Sequence, residues 1–356
     1  MRICVVGAGS IGGHLAVLLA AAGHDVTVIA RGANLRAIRE DGLRLIHEDG
    51  TEQVARDIGA TDTIAAAGTQ DLVILAVKAT QVEAVVDDLP ALFDDETVLI
   101  PMQNGIPWWY FQRHGGVHEG YCVRSVDPNA RIMNAIDPRR IVGCVVYPAA
   151  TLAGPGVVRH IEGNRYPLGE LDGRATERVS RIAAAFDDAG FKSPILDNIR
   201  AEIWLKLWGN LTFNPISALT HSTLVDLCRY PLTRALAQSM MAEAQAIAGA
   251  LGITFRVSIE KRIAGAEKVG RHKTSMLQDI EAGREPEIDA LVGSVIELGR
   301  LTGMTTPHID AVHALVRLLA HTMAEENLCV RATASGAPPR APRVTLPDPV
   351  ADMVSS

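Results

Sequence analysis

The apolar positions of this chain change their period near its middle. In the first half they form short, near-continuous runs: Ile3-Cys4-Val5-Val6, Val26-Thr27-Val28-Ile29, Leu72-Val73-Ile74-Leu75, Thr97-Val98-Leu99-Ile100 and Ile141-Val142-Gly143-Cys144-Val145-Val146. Such runs, lacking polar alternation, mark strands buried on both faces. Helical patterns lie between them, the first from Leu15 to Ala22 with Gly23 closing it. Alternation of strand and helix predicts right-handed parallel crossovers. Segment 156–170 reads as further extended structure, and a helix near 175–189 leads to Ile195. From about 198 to 330 the pattern is helical only, broken by Pro215, Gly252, the Gly283–Pro286 turn and the Gly303–Pro307 stretch. Residues 331–356 carry Pro338, Pro339, Pro342 and Pro347 with little apolar pattern, and are expected to be a disordered tail.

The turn after the first strand reads Gly7-Ala8-Gly9-Ser10-Ile11-Gly12, a G-x-G-x-x-G sequence set between a strand and a helix. That is the setting in which the pattern binds a dinucleotide. Gly7 permits the tight turn, Gly9 lets the backbone approach a pyrophosphate, and Gly12 lets helix and strand pack closely. Ser10 and Ile11 open the helix, whose N-terminus offers unpaired N–H groups and partial positive charge. The second strand ends Ala30-Arg31-Gly32, with no carboxylate for a ribose hydroxyl. Arg31 suits a 2′-phosphate, so the expected cofactor is NADP(H); the plain alternative is a solvated arginine. The fold class expected is α/β: a Rossmann-type N-terminal domain with a mainly parallel sheet over 1–197, then an all-helical C-terminal domain over 198–330. A substrate cleft is expected between the two.

Composition narrows the partners. A formal charge of −7 and 4% aromatic residues give no support to nucleic-acid binding. The five cysteines (Cys4, Cys122, Cys144, Cys228, Cys329) are scattered without metal-binding spacing, so no metal is expected. They fit small buried residues or free thiols in a reducing compartment. Arg2 before an apolar stretch imitates a signal peptide, yet its glycines fit the nucleotide turn, and no other apolar run reaches membrane-spanning length. A cytoplasmic protein without a membrane partner is the expectation.

Three constellations carry candidate chemistry. In Trp204-Leu205-Lys206-Leu207-Trp208-Gly209-Asn210-Leu211-Thr212-Phe213-Asn214-Pro215, the residues Lys206, Asn210 and Asn214 recur every four positions and share a helix face. The helix is apolar over most of its circumference, and a desolvated lysine has a lowered pKa suited to acid catalysis. The alternative is the solvent face of an amphipathic helix. The second constellation is Thr274-Ser275-Met276-Leu277-Gln278, then Glu285-Pro286-Glu287-Ile288-Asp289. Taken alone, Ser275 reads as a helix cap, Pro286 as the first residue of the next helix, and Glu287 as an acid in its first turn. The third is Gln103-Asn104-Gly105, at a strand's carboxyl end where ligands bind in open α/β sheets. Lys78 ends another strand on the same edge and could meet a cofactor phosphate, or be a solvated strand end.

With these motifs together, the chain resembles the ketopantoate reductase (2-dehydropantoate 2-reductase) family over roughly residues 1–325. The resemblance rests on the glycine turn with Ala30-Arg31-Gly32, Val77-Lys78-Ala79-Thr80-Gln81, Gln103-Asn104-Gly105, Trp204-x-Lys206 with Asn210 and Asn214-Pro215, and Ser275-Met276-Leu277-Gln278-Asp279 with Glu287-Ile288-Asp289. It implies a 6-phosphogluconate dehydrogenase-like architecture and reduction of ketopantoate to pantoate with NADPH, a step toward pantothenate and coenzyme A. By that resemblance Lys206 is the general acid and Glu287 supports it. Asn210, Asn214 and Ser275 bind the 2-oxo acid, Asn104 lies near nicotinamide and substrate, and Arg31 and Lys78 hold the adenosine phosphate. The sequence departs from the family at Val145-Val146-Tyr147-Pro148-Ala149-Ala150, in the long connection 113–137, and at Pro107-Trp108-Trp109-Tyr110-Phe111. That aromatic segment reads as a buried or dimer-contact stretch; if it lined the cleft, the acid would be larger. Two rival readings are a sister reductase of another 2-oxo acid and a non-catalytic NADP-sensing protein. Oligomeric state is open, since the family includes monomers and dimers and the helical half offers surface for a homodimer.

Overall fold

In a computed structural model of the chain, residues 1–330 are described, so the tail expected over 331–356 lies outside the described residues. Two compact units are present. The first holds Met1–Leu207 with Gly252–Thr254 and Asp289–Leu298; the second holds Trp208–Leu251, Phe255–Ile288 and the residues from Gly299 on.

The first unit is built on a parallel sheet. Its strands are β1 (Arg2–Val6), β2 (Asp25–Ile29), β5 (Gly59–Thr61), β6 (Leu72–Leu75) and β7 (Val98–Pro101), in the order β5-β2-β1-β6-β7. All four pairings are parallel, with Ile3 level with Val26 on one side and Leu72 on the other. β1, β6 and β7 are buried almost throughout, which is why their sequences are nearly unbroken apolar runs. Helix α1 (Ser10–Ala21) and helix α2 (Gly32–Asp41) follow β1 and β2. The expected alternation stops at β6, which reaches β7 through short 3₁₀ turns at Ala79–Gln81 and Leu89–Leu92.

A second, four-stranded sheet was not evident in the sequence. Its order is β4-β3-β10-β9, from β3 (Leu43–Ile46), β4 (Glu52–Ala55), β9 (Ala149–Gly154) and β10 (Val157–Glu162). Only β3 and β10 run parallel. Leu43, Leu45 and Val158 turn inward while their neighbours are half or fully exposed, so the strands are too short and mixed to show a period. After the short helix α3 (Arg131–Ala135), β8 (Val142–Cys144) and β11 (Leu168–Glu170) pair antiparallel. Helix α4 (Glu177–Asp188) buries Val179, Ile182, Ala183 and Phe186, a helical stripe, and Thr176 caps it by accepting from the Val179 N–H.

Helix α5 (Ile199–Thr220) contains Pro215, and the division between the units falls inside it. The second unit is helical: α6 (Leu224–Arg229), α7 (Pro231–Ala250), α8 (Ile259–Val269), α9 (Ser275–Glu281), part of α10 (Ser294–Thr302), and α11 (Pro307–Glu325). Within it Trp208 stacks on Phe255 at 4.0 Å and donates its indole N–H to the Met241 carbonyl at 2.7 Å. No helix among the described residues is long and apolar enough to cross a membrane.

Candidate active site

The glycine turn is dictated by sterics. Gly7 has φ +106°, and a Cβ there would stand 2.9 Å from Val77 Cγ1. A Cβ on Gly12 would fall 2.0 Å from the Gly7 carbonyl oxygen, so only glycine lets α1 sit this close to β1. A Cβ on Gly9 would meet nothing within 4 Å, which leaves open space where a diphosphate would approach. Ser10 and Ile11 form the first turn of α1, aimed from the carboxyl edge of the sheet. Asn34, to which no sequence motif pointed, braces this turn. Its Nδ2 donates to the Ala8 carbonyl at 2.8 Å, and its Oδ1 accepts from the Gly156 N–H at 2.7 Å.

Arg31 is exposed at the start of α2, two residues beyond β2, and Lys78 lies three residues beyond β6. Because β2 and β6 flank β1, the two cations stand on either side of the glycine turn. Gln103 ties the neighbouring strand ends together, its amide donating to the carbonyls of Leu75 (2.8 Å) and Val77 (2.9 Å).

The next residues are held by an irregular helix. Gly105 has φ +89°, and a Cβ on it would lie 2.0 Å from the Ala290 carbonyl oxygen. That oxygen accepts from the Ile106 N–H at 3.0 Å and the Ser294 hydroxyl at 2.8 Å. It belongs to a π-helical turn, Asp289–Gly293, where the wider winding leaves carbonyls available to outside donors. The turn therefore pins the Asn104-Gly105 bend. It also corrects the expected start of this helix. Pro286 is not its first residue, and Glu287 precedes it instead of lying in its first turn, because the chain makes a tight bend with the Ile288 N–H on the Pro286 carbonyl at 2.9 Å.

Lys206, half-buried on α5, reaches the Asn104 bend. Its Nζ donates to Asn104 Oδ1 at 2.5 Å and to the Val146 carbonyl. Cys144 on β8 is buried, which raises its thiol above the ordinary value, and the charge of Lys206 acts against that rise. Further along the same stripe, Asn210 is half-buried and Asn214 buried. Asn214 Nδ2 donates to Ser275 Oγ at 3.3 Å. Ser275 is not the cap of α9: Thr274 is, accepting from the Leu277 N–H at 3.3 Å, and this leaves the Ser275 hydroxyl to face Asn214.

The aromatic segment is core. Trp108, Trp109, Tyr110 and Phe111 are at most 3% exposed, so they form no open pocket wall. Trp204 donates its indole N–H to Tyr110 Oη at 2.7 Å, and burial pushes that phenol up to about 12. Arg200, also buried, donates to the carbonyls of Tyr110, Gln112 and Leu171 at 2.7, 2.8 and 2.5 Å. The long connection 113–137 is anchored by Glu297, which accepts from the Arg124 and Ser125 N–H groups, both at 2.7 Å, and from Tyr121 Oη at 3.0 Å.

A dinucleotide turn on a parallel sheet, with a lysine and an asparagine paired at the carboxyl edge, defines an oxidoreductase of the Rossmann class. Comparison with known proteins makes this specific. The family described as Ketopantoate reductase PanE/ApbA matches residues 3–173, and its C-terminal counterpart matches residues 198–320. The chain is 52% identical over 321 residues to the 2-dehydropantoate 2-reductase of Mesorhizobium japonicum, covering 90% of this chain and 98% of the relative. Among solved structures it is similar to a provisionally described ketopantoate reductase of Ralstonia solanacearum MolK2, with TM-score 0.87 and 44% identity over 91% of this chain and 98% of that one. The PanE/ApbA family ketopantoate reductase of Ralstonia eutropha JMP134 gives TM-score 0.78 and 30% identity, covering 91% of this chain and 100% of that one. The chain belongs to the ketopantoate reductase family.

Proposed function

We propose that this oxidoreductase reduces ketopantoate to pantoate with NADPH, with Lys206 as the general acid. The observation that carries the reading is the Lys206–Asn104 contact at the carboxyl edge of the sheet. The residues present fit the cofactor: Gly7, Gly9, Ser10, Ile11 and Gly12 would take the diphosphate, and Arg31 with Lys78 the adenosine phosphate. NADPH, when bound, supplies a hydride to the C2 carbonyl of the acid. Negative charge then develops on that carbonyl oxygen, and Lys206 delivers a proton to it. Asn104 fixes the direction of the ammonium. Asn210, Asn214 and Ser275 recognise the 2-oxo acid in this reading, with Ser275 donating to its carboxylate and Glu287 supporting the proton donor. The protein's part is geometry and proton delivery.

Burial of Trp108–Phe111 removes the main reason to expect a larger acid, so ketopantoate is favoured over a bulkier one. The test is NADPH consumption, followed by near-ultraviolet absorbance, with ketopantoate beside bulkier 2-oxo acids. Turnover on ketopantoate supports the reading, and turnover only on a bulkier acid overturns the substrate. NADPH binding without turnover on any acid would make the chain a sensor.

A further inference from the structure

Glu202 lies one helical turn before Lys206 on α5, on the same side, and its carboxylate is only 1% exposed. Two groups hold it. Tyr147 donates its hydroxyl to Glu202 Oε1 at 2.7 Å, and Arg165 donates Nη1 to the same oxygen at 2.5 Å. The Arg165 guanidinium also sits over the Tyr147 ring, 5.0 Å from its centre. The main chains of the two segments are laddered, with the Tyr147 N–H on the Arg165 carbonyl at 3.2 Å and the Val145 N–H on the Pro167 carbonyl at 3.0 Å. Between these two bonds lies Val146, whose carbonyl accepts from Lys206.

We infer that Glu202, Tyr147 and Arg165 are positioning residues that hold the Val146 carbonyl, and through it aim the Lys206 ammonium. The inference rests on the proposed role of Lys206 as the acid. A peptide fixed at the residue before and the residue after can present its carbonyl in one direction only. The anchor of that peptide, Glu202, rides on the helix that carries Lys206, so acceptor and lysine move as one body. The ammonium meets the Asn104 amide beyond β7 and the Val146 carbonyl beyond β8, and its charge reaches the Cys144 thiol on β8. Tyr147 lies in the stretch where the sequence departs from its family, and this network gives that departure a task.

The test uses the full chain with Tyr147→Phe, Glu202→Gln, their double variant, Arg165→Lys, and Lys206→Ala as the control. Turnover and KM are measured with NADPH and whichever 2-oxo acid the wild type reduces, alongside the thermal midpoint. Tyr147→Phe keeps the ring and removes one hydrogen bond, so it should fold. It and Glu202→Gln are each expected to lower kcat by about tenfold with KM for both substrates little changed, since only the aim of the acid is lost. The double variant should be no worse than the poorer single, because both act through one contact. Arg165→Lys keeps a cation on Glu202 and should retain more turnover than either. Wild-type kcat in folded Tyr147→Phe and Glu202→Gln, losses confined to KM, or losses that multiply in the double variant would overturn the inference. If Lys206→Ala is inactive in that case, the acid assignment stands and the network alone falls. If Lys206→Ala also keeps its turnover, both fall.

Discussion

Replacing Lys206 with alanine separates chemistry from stability more cleanly than any other change in this chain. The hydrogen bonds of the side chain include those to Asn104 Oδ1 and to the Val146 carbonyl, and it is half-buried. Asn104 is itself half-buried, so its oxygen can take water when the ammonium is gone. Val146 is buried, and an unsatisfied buried acceptor costs about 1–3 kcal/mol. Orphaning the Val146 carbonyl should therefore cost the folded state about 1–3 kcal/mol. The barrier should rise further: loss of a positioned acid costs on the order of 10² to 10⁴ in rate, or about 2.7–5.4 kcal/mol. The assay is kcat at saturating NADPH and ketopantoate, with a urea midpoint measured in parallel. A kcat within about threefold of wild type would refute the acid assignment. A large fall in kcat that tracks the loss of folded protein would refute the separation.

Three other expectations follow from particular contacts. Arg31→Ala should raise KM for NADPH by about tenfold, the weight of one charge-assisted contact, and leave KM for NADH nearly unchanged; equal effects on both would remove the 2′-phosphate assignment. Thr274→Ala should cost about 1 kcal/mol of stability as a lost cap, whereas Ser275→Ala should raise KM for the acid at near-normal stability. Equal losses of stability would return Ser275 to a capping role. Burial, with His160 stacked at 4.5 Å and His47 nearby, pushes His14 down to about 3. The unfolded chain takes up a proton here below about pH 6.5 and the folded chain does not until about 3, so this contribution is complete above 6.5 and fades as pH falls, by at most about 1.4 kcal/mol per unit. His14→Phe should flatten the dependence of the urea midpoint between neutral and mildly acidic pH, and an unchanged slope would show that other groups carry it.

The parallel sheet and the glycine turn were legible because burial on both faces leaves unbroken apolar runs and because close packing admits only glycine at Gly7 and Gly12. The stripe of Lys206, Asn210 and Asn214 was legible from helical spacing alone. The β4-β3-β10-β9 sheet was not, since its four strands are short and partly exposed, and its central β3–β10 pairing spans more than a hundred residues of chain. Neither was the π-turn, whose Ala290 carbonyl takes a donor from the distant Ile106 as well as one from Ser294 a helical turn on. Ser275 reads as a cap because Gln278 three residues on completes a capping box; Thr274, followed at that spacing by Leu277, lacks the box but is the residue that caps the helix. Asn34, Tyr147, Glu202 and Glu297 act through partners distant in sequence, so spacing could not reveal them.

The most direct test of the proposed reaction is product analysis by mass spectrometry after turnover of ketopantoate with NADPH carrying deuterium at the transferable C4 position. One deuterium in pantoate, placed at C2, is the predicted result. Unlabelled pantoate, label elsewhere in the molecule, or no pantoate at all would contradict hydride transfer to the C2 carbonyl by this chain.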